Sequence, residues 1–270
     1  MKNRIIILIS IMMLILVSCS EQRLAARRFV KQNQNTVVSL YLPGRLIKQN
    51  LREDEMPEIL EDSTLQVQID YMESLICVVN KIDDDEFLDI VYEQMKETLE
   101  DYGLTVEYWE SENSVPDSTH WVFNIPRIEV VEMNEYQEYC EWVYDYKFCA
   151  DVPVDLVNVA AWFEFMADTT ATVAYTEQNY FSKTDVAFEF DIKSNKVYTK
   201  SYIDKINIDG FYSFARMLGK LYAGYCYDYM LNKYVDNNTS SRSDSINKFR
   251  YDPYERYLYQ TPRDYLIDMK

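Results

Sequence analysis

The chain has 270 residues and a formal charge of −18 at pH 7, from 45 acidic against 27 basic side chains. That balance excludes a protein that binds nucleic acid by neutralising phosphates. Hydrophobic residues make up 48% and aromatic residues 15%, which excludes an intrinsically disordered chain and points to a folded body with a substantial core.

Lys2 and Arg4 precede an apolar run from Ile5 to Val17. The run is shorter than the ~20 residues of a spanning helix, so residues 1–18 read as a cleavable signal peptide. It closes on Leu16-Val17-Ser18-Cys19, which resembles the lipobox of bacterial lipoproteins. The resemblance implies that Cys19 carries a diacylglycerol, that cleavage falls just before it and that its amino group is acylated, with palmitate the type of chain expected. Two or more chains hold a membrane stably, whereas one is marginal.

Residues 19–35 read as a lipidated tether. Arg23, Arg27 and Lys31 recur every four residues there, either drawn to anionic headgroups or simply keeping the tether in water. A single domain is expected over 36–235. Thr36 to Leu42 reads as a strand stopped by Pro43-Gly44, and Leu75 to Val79 as a second short strand. Asp83-Asp84-Asp85 then caps a helix whose Phe87, Val91, Met95 and Leu99 share a face, with Gly103 as its stop.

Leu104 to Trp109 follows as a strand, and further strands are predicted at Trp121 to Val131, Val154 to Met166 and Asp185 to Ile192. In the second of these three, Val157, Val159, Ala161, Phe163 and Phe165 lie on one face by the period of two. Ser194-Asn195 turns the last one back through Lys196 to Thr199. A core helix runs from about Asp209 to Val235, with Ala215, Gly219 and Ala223 every four residues for close approach to a neighbour. The order predicts an α+β fold, an antiparallel or mixed sheet covered on one face by two helices. Residues 236–270 read as a flexible linker and a Tyr-rich tail that is either partly disordered or docked.

The layout is similar to that of envelope lipoproteins that assist lipopolysaccharide assembly or transport complexes. The lipobox, Gly103-Leu104-Thr105-Val106 and Val157-Asn158-Val159-Ala160-Ala161-Trp162-Phe163-Glu164 together resemble uncharacterised lipoproteins of the Bacteroidota. That family implies the outer membrane but no activity. Ser20-Glu21-Gln22-Arg23 matches its acidic surface-export signal poorly, which implies the periplasmic side. Asp62-Ser63-Thr64, Asp117-Ser118-Thr119, Asp168-Thr169-Thr170 and Asp244-Ser245-Ile246 resemble its O-glycosylation motif, the last being the favoured site.

Catalytic machinery finds little support. His120 is the single histidine, at a strand start, and reads as an ordinary edge residue. The five glycines form neither a P-loop nor a dinucleotide fingerprint. Glu129, Glu132, Glu135, Glu138 and Glu141 read as a solvated face or helix caps, and Asp83 to Glu86 lacks the spacing of a calcium loop. No cofactor and no metal is expected.

Four thiols remain beside Cys19: Cys77, Cys140, Cys149 and Cys226. Either Cys140 and Cys149 bridge, as the one pair able to, or all four are free. Trp109, Trp121, Trp142 and Trp162 with 24 tyrosines supply either buried strand aromatics or a platform for sugar rings. Alternation places Asn158, Trp162 and Glu164 on one side, opposite Phe163, and this is the expected contact surface. The reading is a non-enzymatic envelope lipoprotein, an assembly, scaffold or adaptor component that binds a protein. The alternative is a glycan-binding lipoprotein using exposed aromatics, and a hydrolase with paired carboxylates comes last.

Overall fold

A computed structural model describes residues 21–33, 36–52, 64–108, 120–143, 145–167, 170–194, 196–239, 249–261 and 266–268. The leader, Cys19, Trp109 and the four O-glycosylation motifs fall wholly or partly outside these residues.

The described chain opens on helix α1, residues 21–32. Gln22, Ala25, Ala26 and Phe29 recur at helical spacing and are buried, with the Phe29 ring 5.5 Å from Tyr227 and 5.4 Å from Tyr234. The expected tether over 19–35 is corrected here. Its small apolar stripe, hidden among charges, docks into the core.

The central sheet is mixed. Strands β1 (Val37–Tyr41) and β2 (Ile47–Asn50) run parallel to successive stretches of β4 (His120–Val143), and β3 (Thr105–Tyr108) runs parallel to β1. On the other side of β4, β5 (Tyr146–Ala167) and β6 (Thr170–Phe181) continue antiparallel, and β11 (Ile267–Asp268) closes the edge. A register shift lies between Asn124 and Arg127. Pro126, which cannot donate to a ladder, falls inside that irregularity.

Helices α2 (Leu65–Leu75), α3 (Asp84–Asp101) and α4 (Ile208–Asn238) complete the fold, an α+β architecture with helices packed against a mixed sheet. Asp83 Oδ1 accepts the Glu86 N–H at 3.1 Å to cap α3, and Gly103 ends that region at φ 86°, in the left-handed region that favours glycine. Alternation on β5 sends Val157, Val159, Ala161, Phe163 and Phe165 into the core. There Phe163 meets Tyr222 of α4 at 5.2 Å and Phe165 stacks on Tyr229 at 4.2 Å. A Cβ at Gly219 would stand 2.8 Å from Val91 O and Gln94 Cβ of α3, so α4 approaches α3 more closely than any side chain would permit.

Three other expectations are corrected. Leu75 to Val79 is the end of α2, a bend and a 3₁₀ turn (Val79–Lys81), because its amides are taken by a side chain described below. The strand expected to end at Val131 runs on to Val143, and the one expected to begin at Val154 already begins at Tyr146. Within the expected tail, β9 (Phe249–Asp252) and β10 (Tyr257–Gln260) form a hairpin with Phe249 buried, and Leu266 is buried beside β11. Residues 240–248 lie outside the described chain.

Past Glu132, where β2 pairing ends, and before Leu156, where β6 pairing begins, β4 and β5 pair with each other alone among the described residues. About ten residues at ~3.4 Å each make this two-stranded arm roughly 35 Å long. A second hairpin, β7 (Lys183–Asp191) and β8 (Lys196–Asp204), lies against β4 and β5. Val152, Val154 and Leu156, alternating on one side of β5, are buried.

Candidate functional site

The outward face of β4, β5 and β6 carries Asn158, Trp162 and Glu164, all half-buried and opposite the core row. Cross-strand register surrounds them with a polar and aromatic set. Trp162 pairs with Arg127 on one side and Tyr175 on the other. The Trp162 and Tyr175 rings lie 4.8 Å apart, and the Arg127 guanidinium stands 4.7 Å from the Trp162 ring centre. Arg127 forms an ion pair with Glu129, and the Tyr175 hydroxyl donates to Glu177. Partial burial, then that carboxylate, hold the Tyr175 phenol above its ordinary pKa.

Rows of amides and carboxylates flank the rings. Asn124 Nδ2 donates to Glu164 Oε2 at 2.7 Å, and Asn158 Nδ2 donates to Asn179 Oδ1 at 2.7 Å. By the period of two, the Glu164 row is next to the rings on this face, and the Asn158 row lies one step beyond the intervening Glu129, Ala160 and Glu177 row. The result is an aromatic pair with hydrogen-bonding groups above and below it.

A second constellation was not visible in the sequence. Arg52, buried at the end of the β2 segment, places Nη2 2.5 Å from Asp155 Oδ1 and Nε 3.5 Å from Glu132 Oε1. Glu132 is 0% exposed, and its carboxylate accepts the backbone N–H groups of Cys77, Val78 and Val79 at 2.5, 3.0 and 2.9 Å. The reading of Glu132 as solvated is therefore corrected: it holds the 3₁₀ turn against the sheet. The available signal was parity, since Ile128, Val130 and Glu132 alternate on the inward side of β4. Cys77 Sγ lies 3.5 Å from Asp155 Oδ2, and burial first, then that carboxylate, push its thiol up to about 12. Such a thiol is a poor nucleophile.

Cys140 and Cys149 face each other across the arm with α-carbons 4.1 Å apart and are disulfide-bonded. Cys77 and Cys226 are free and buried. His120 Nε2 lies 2.8 Å from Ser39 Oγ through the β1 to β4 pairing. Trp142 is 68% exposed near the arm's tip, whereas Trp121 packs against Tyr229 at 6.1 Å.

No family model matches this chain, and no curated protein matches it. Among solved structures, a Helicobacter pylori protein provisionally assigned as a neuraminyllactose-binding hemagglutinin homolog is similar over 76% of this chain and 90% of its own, at 10% identity and a TM-score of 0.30. A likeness that loose carries no argument about a shared ligand.

Proposed function

We propose that the chain is a non-catalytic binding protein of the bacterial envelope, lipid-anchored at Cys19, that holds a glycan on the outward face of its sheet. The observation that carries this reading is the Trp162 and Tyr175 ring pair set between rows of amides and carboxylates. Sugars present C–H faces that stack on aromatic rings and hydroxyl edges that need fixed donors and acceptors, and this surface offers both in one plane. Glycan-array binding by the full chain in detergent tests it, with Trp162→Ala expected to abolish capture and Trp142→Ala to leave it intact. Equal capture by all three proteins would overturn the reading.

A second reading, an adaptor for an envelope protein, is favoured by the arm. Tyr136, Trp142 and Tyr146 are 71%, 68% and 71% exposed there, beside two strand edges without ladder partners among the described residues. Unpaired edges with protruding aromatics suit strand addition by a partner. Photocrosslinking from position 142 in the native membrane would identify that partner, and the absence of any protein adduct would remove this reading.

A further inference from the structure

Between α3, α4 and the β9–β10 hairpin lies a cavity of about 220 Å³. Five tyrosines line it: Tyr102, Tyr225, Tyr251, Tyr254 and Tyr259. The hairpin that closes it is fixed in place at several points. Tyr254 donates its hydroxyl to Asp101 Oδ2 at 2.8 Å and its backbone N–H to Asp252 Oδ1 at 2.9 Å. The Tyr251 N–H reaches Asp228 Oδ1 of α4 at 3.3 Å, and Arg250 Nε lies 3.6 Å from Asp228 Oδ2. On the helix side, Thr98 lines the cavity and is 5% exposed, and its buried hydroxyl has no hydrogen-bond partner among the described residues. An orphan hydroxyl is uncommon in a native interior and is explained where a ligand supplies the partner.

We propose that this cavity binds a single neutral sugar ring. Its volume falls below the roughly 300 Å³ at which pockets begin to hold drug-sized molecules, so one ring fits and an oligosaccharide does not. Tyrosine walls give that ring flat apolar surfaces and hydroxyl contacts together. Lys220 and Arg250 contribute donors, Asp228 and Asp252 acceptors, and Thr98 either, a mixture that suits hydroxyl groups. A net charge of −18 works against concentrating an anion here, which disfavours an acidic sugar. The cavity is built from the helices and the C-terminal hairpin, so it stands or falls separately from the sheet face.

The test is saturation-transfer NMR of the full chain in detergent with glucose, galactose, mannose, N-acetylglucosamine and glucuronic acid. At least one neutral sugar is expected to saturate with a dissociation constant near about 1 mM. Gly224→Leu fills the cavity from α4. A Cβ there meets only Tyr102 Oη, at an ordinary 3.6 Å, and leucine is the better helix former, so the fold should survive, as circular dichroism will show. In a Trp162→Ala background, which removes the sheet-face rings, binding should persist and should weaken more than about tenfold on adding Gly224→Leu and about fivefold on adding Thr98→Val. No saturable neutral sugar, unchanged binding in Gly224→Leu, loss only in Trp162→Ala, or preference for glucuronic acid would each overturn the proposal. If Gly224→Leu does not fold, Thr98→Val decides.

Discussion

Asp228 sits inside α4, and burial raises its carboxyl to about 8, outweighing the Arg250 guanidinium and the Tyr251 N–H that pull it down. The native state therefore keeps a proton that the unfolded chain releases near pH 4. Stability should fall as pH rises from about 4 to 8, with a slope of up to about 1.4 kcal/mol per pH unit from this group, and level off above. In Asp228→Asn, where the amide oxygen can still accept from Tyr251, that slope should vanish, so urea midpoints at pH 6 and pH 8 should differ less than in the parent. An unchanged difference would assign the slope to another group. Glu132 accepts from three amides and forms one side of a buried ion pair. Glu132→Ala leaves those amides and Arg52 short of a partner, and about 3–5 kcal/mol of unfolding free energy should be lost. A loss under about 1 kcal/mol, read by chemical denaturation, would mean that the site relaxes or hydrates.

At the scale of elements, the arm is a hairpin whose tip is joined by Cys140 and Cys149. In the chain-entropy model a loop this short is worth roughly 2–3 kcal/mol. Because the arm pairs with little else, the loss in a Cys140→Ser, Cys149→Ser protein should be local. Hydrogen exchange should quicken over residues 136–153 while the amides of α3 and α4 keep their protection, and uniform quickening would show that the arm is coupled to the core. The core-facing row of β5, the α3 cap and the small residues of α4 were legible because each follows from a local period or a cap chemistry. The arm was legible only in part, since residues 133–143 of β4 mix polar and aromatic side chains with no alternation to read beyond Val131, and only Val152 and Val154 on β5 carry one. Leu75 to Val79 misled for a different reason. Its apolar run has strand composition, but its conformation is set by Glu132, 53 to 55 residues away. The candidate face at Asn158, Trp162 and Glu164 was readable from parity on β5, whereas its partners Arg127 and Tyr175 required the register of three strands. The tyrosine cavity depends on a hairpin across a segment that reads as linker, and no local signal places it.

For the whole molecule, the feature with the widest consequence is α1. With Ala26 and Phe29 of α1 in the core and the helix already formed at residue 21, the sequence has only Ser20 between that helical residue and Cys19. With the proposed lipid in place the domain has no leash. It would ride on the bilayer as a fixed-height body, its arm and sheet face sweeping only a thin shell above the headgroups, and ligands beyond that shell would be out of reach. Inserting 15 Gly/Ser residues between Ser20 and Glu21 would add a coil of roughly 20 Å and let the domain tumble. Soluble glycan should bind the parent and the extended protein alike, but capture from a surface within the native standoff should weaken in the extended one, because a tethered search over a larger volume lowers the effective concentration. Surface-capture measurements on supported bilayers would reveal it, and equal capture by both proteins would mean that the height of the domain above the membrane plays no part in recognition.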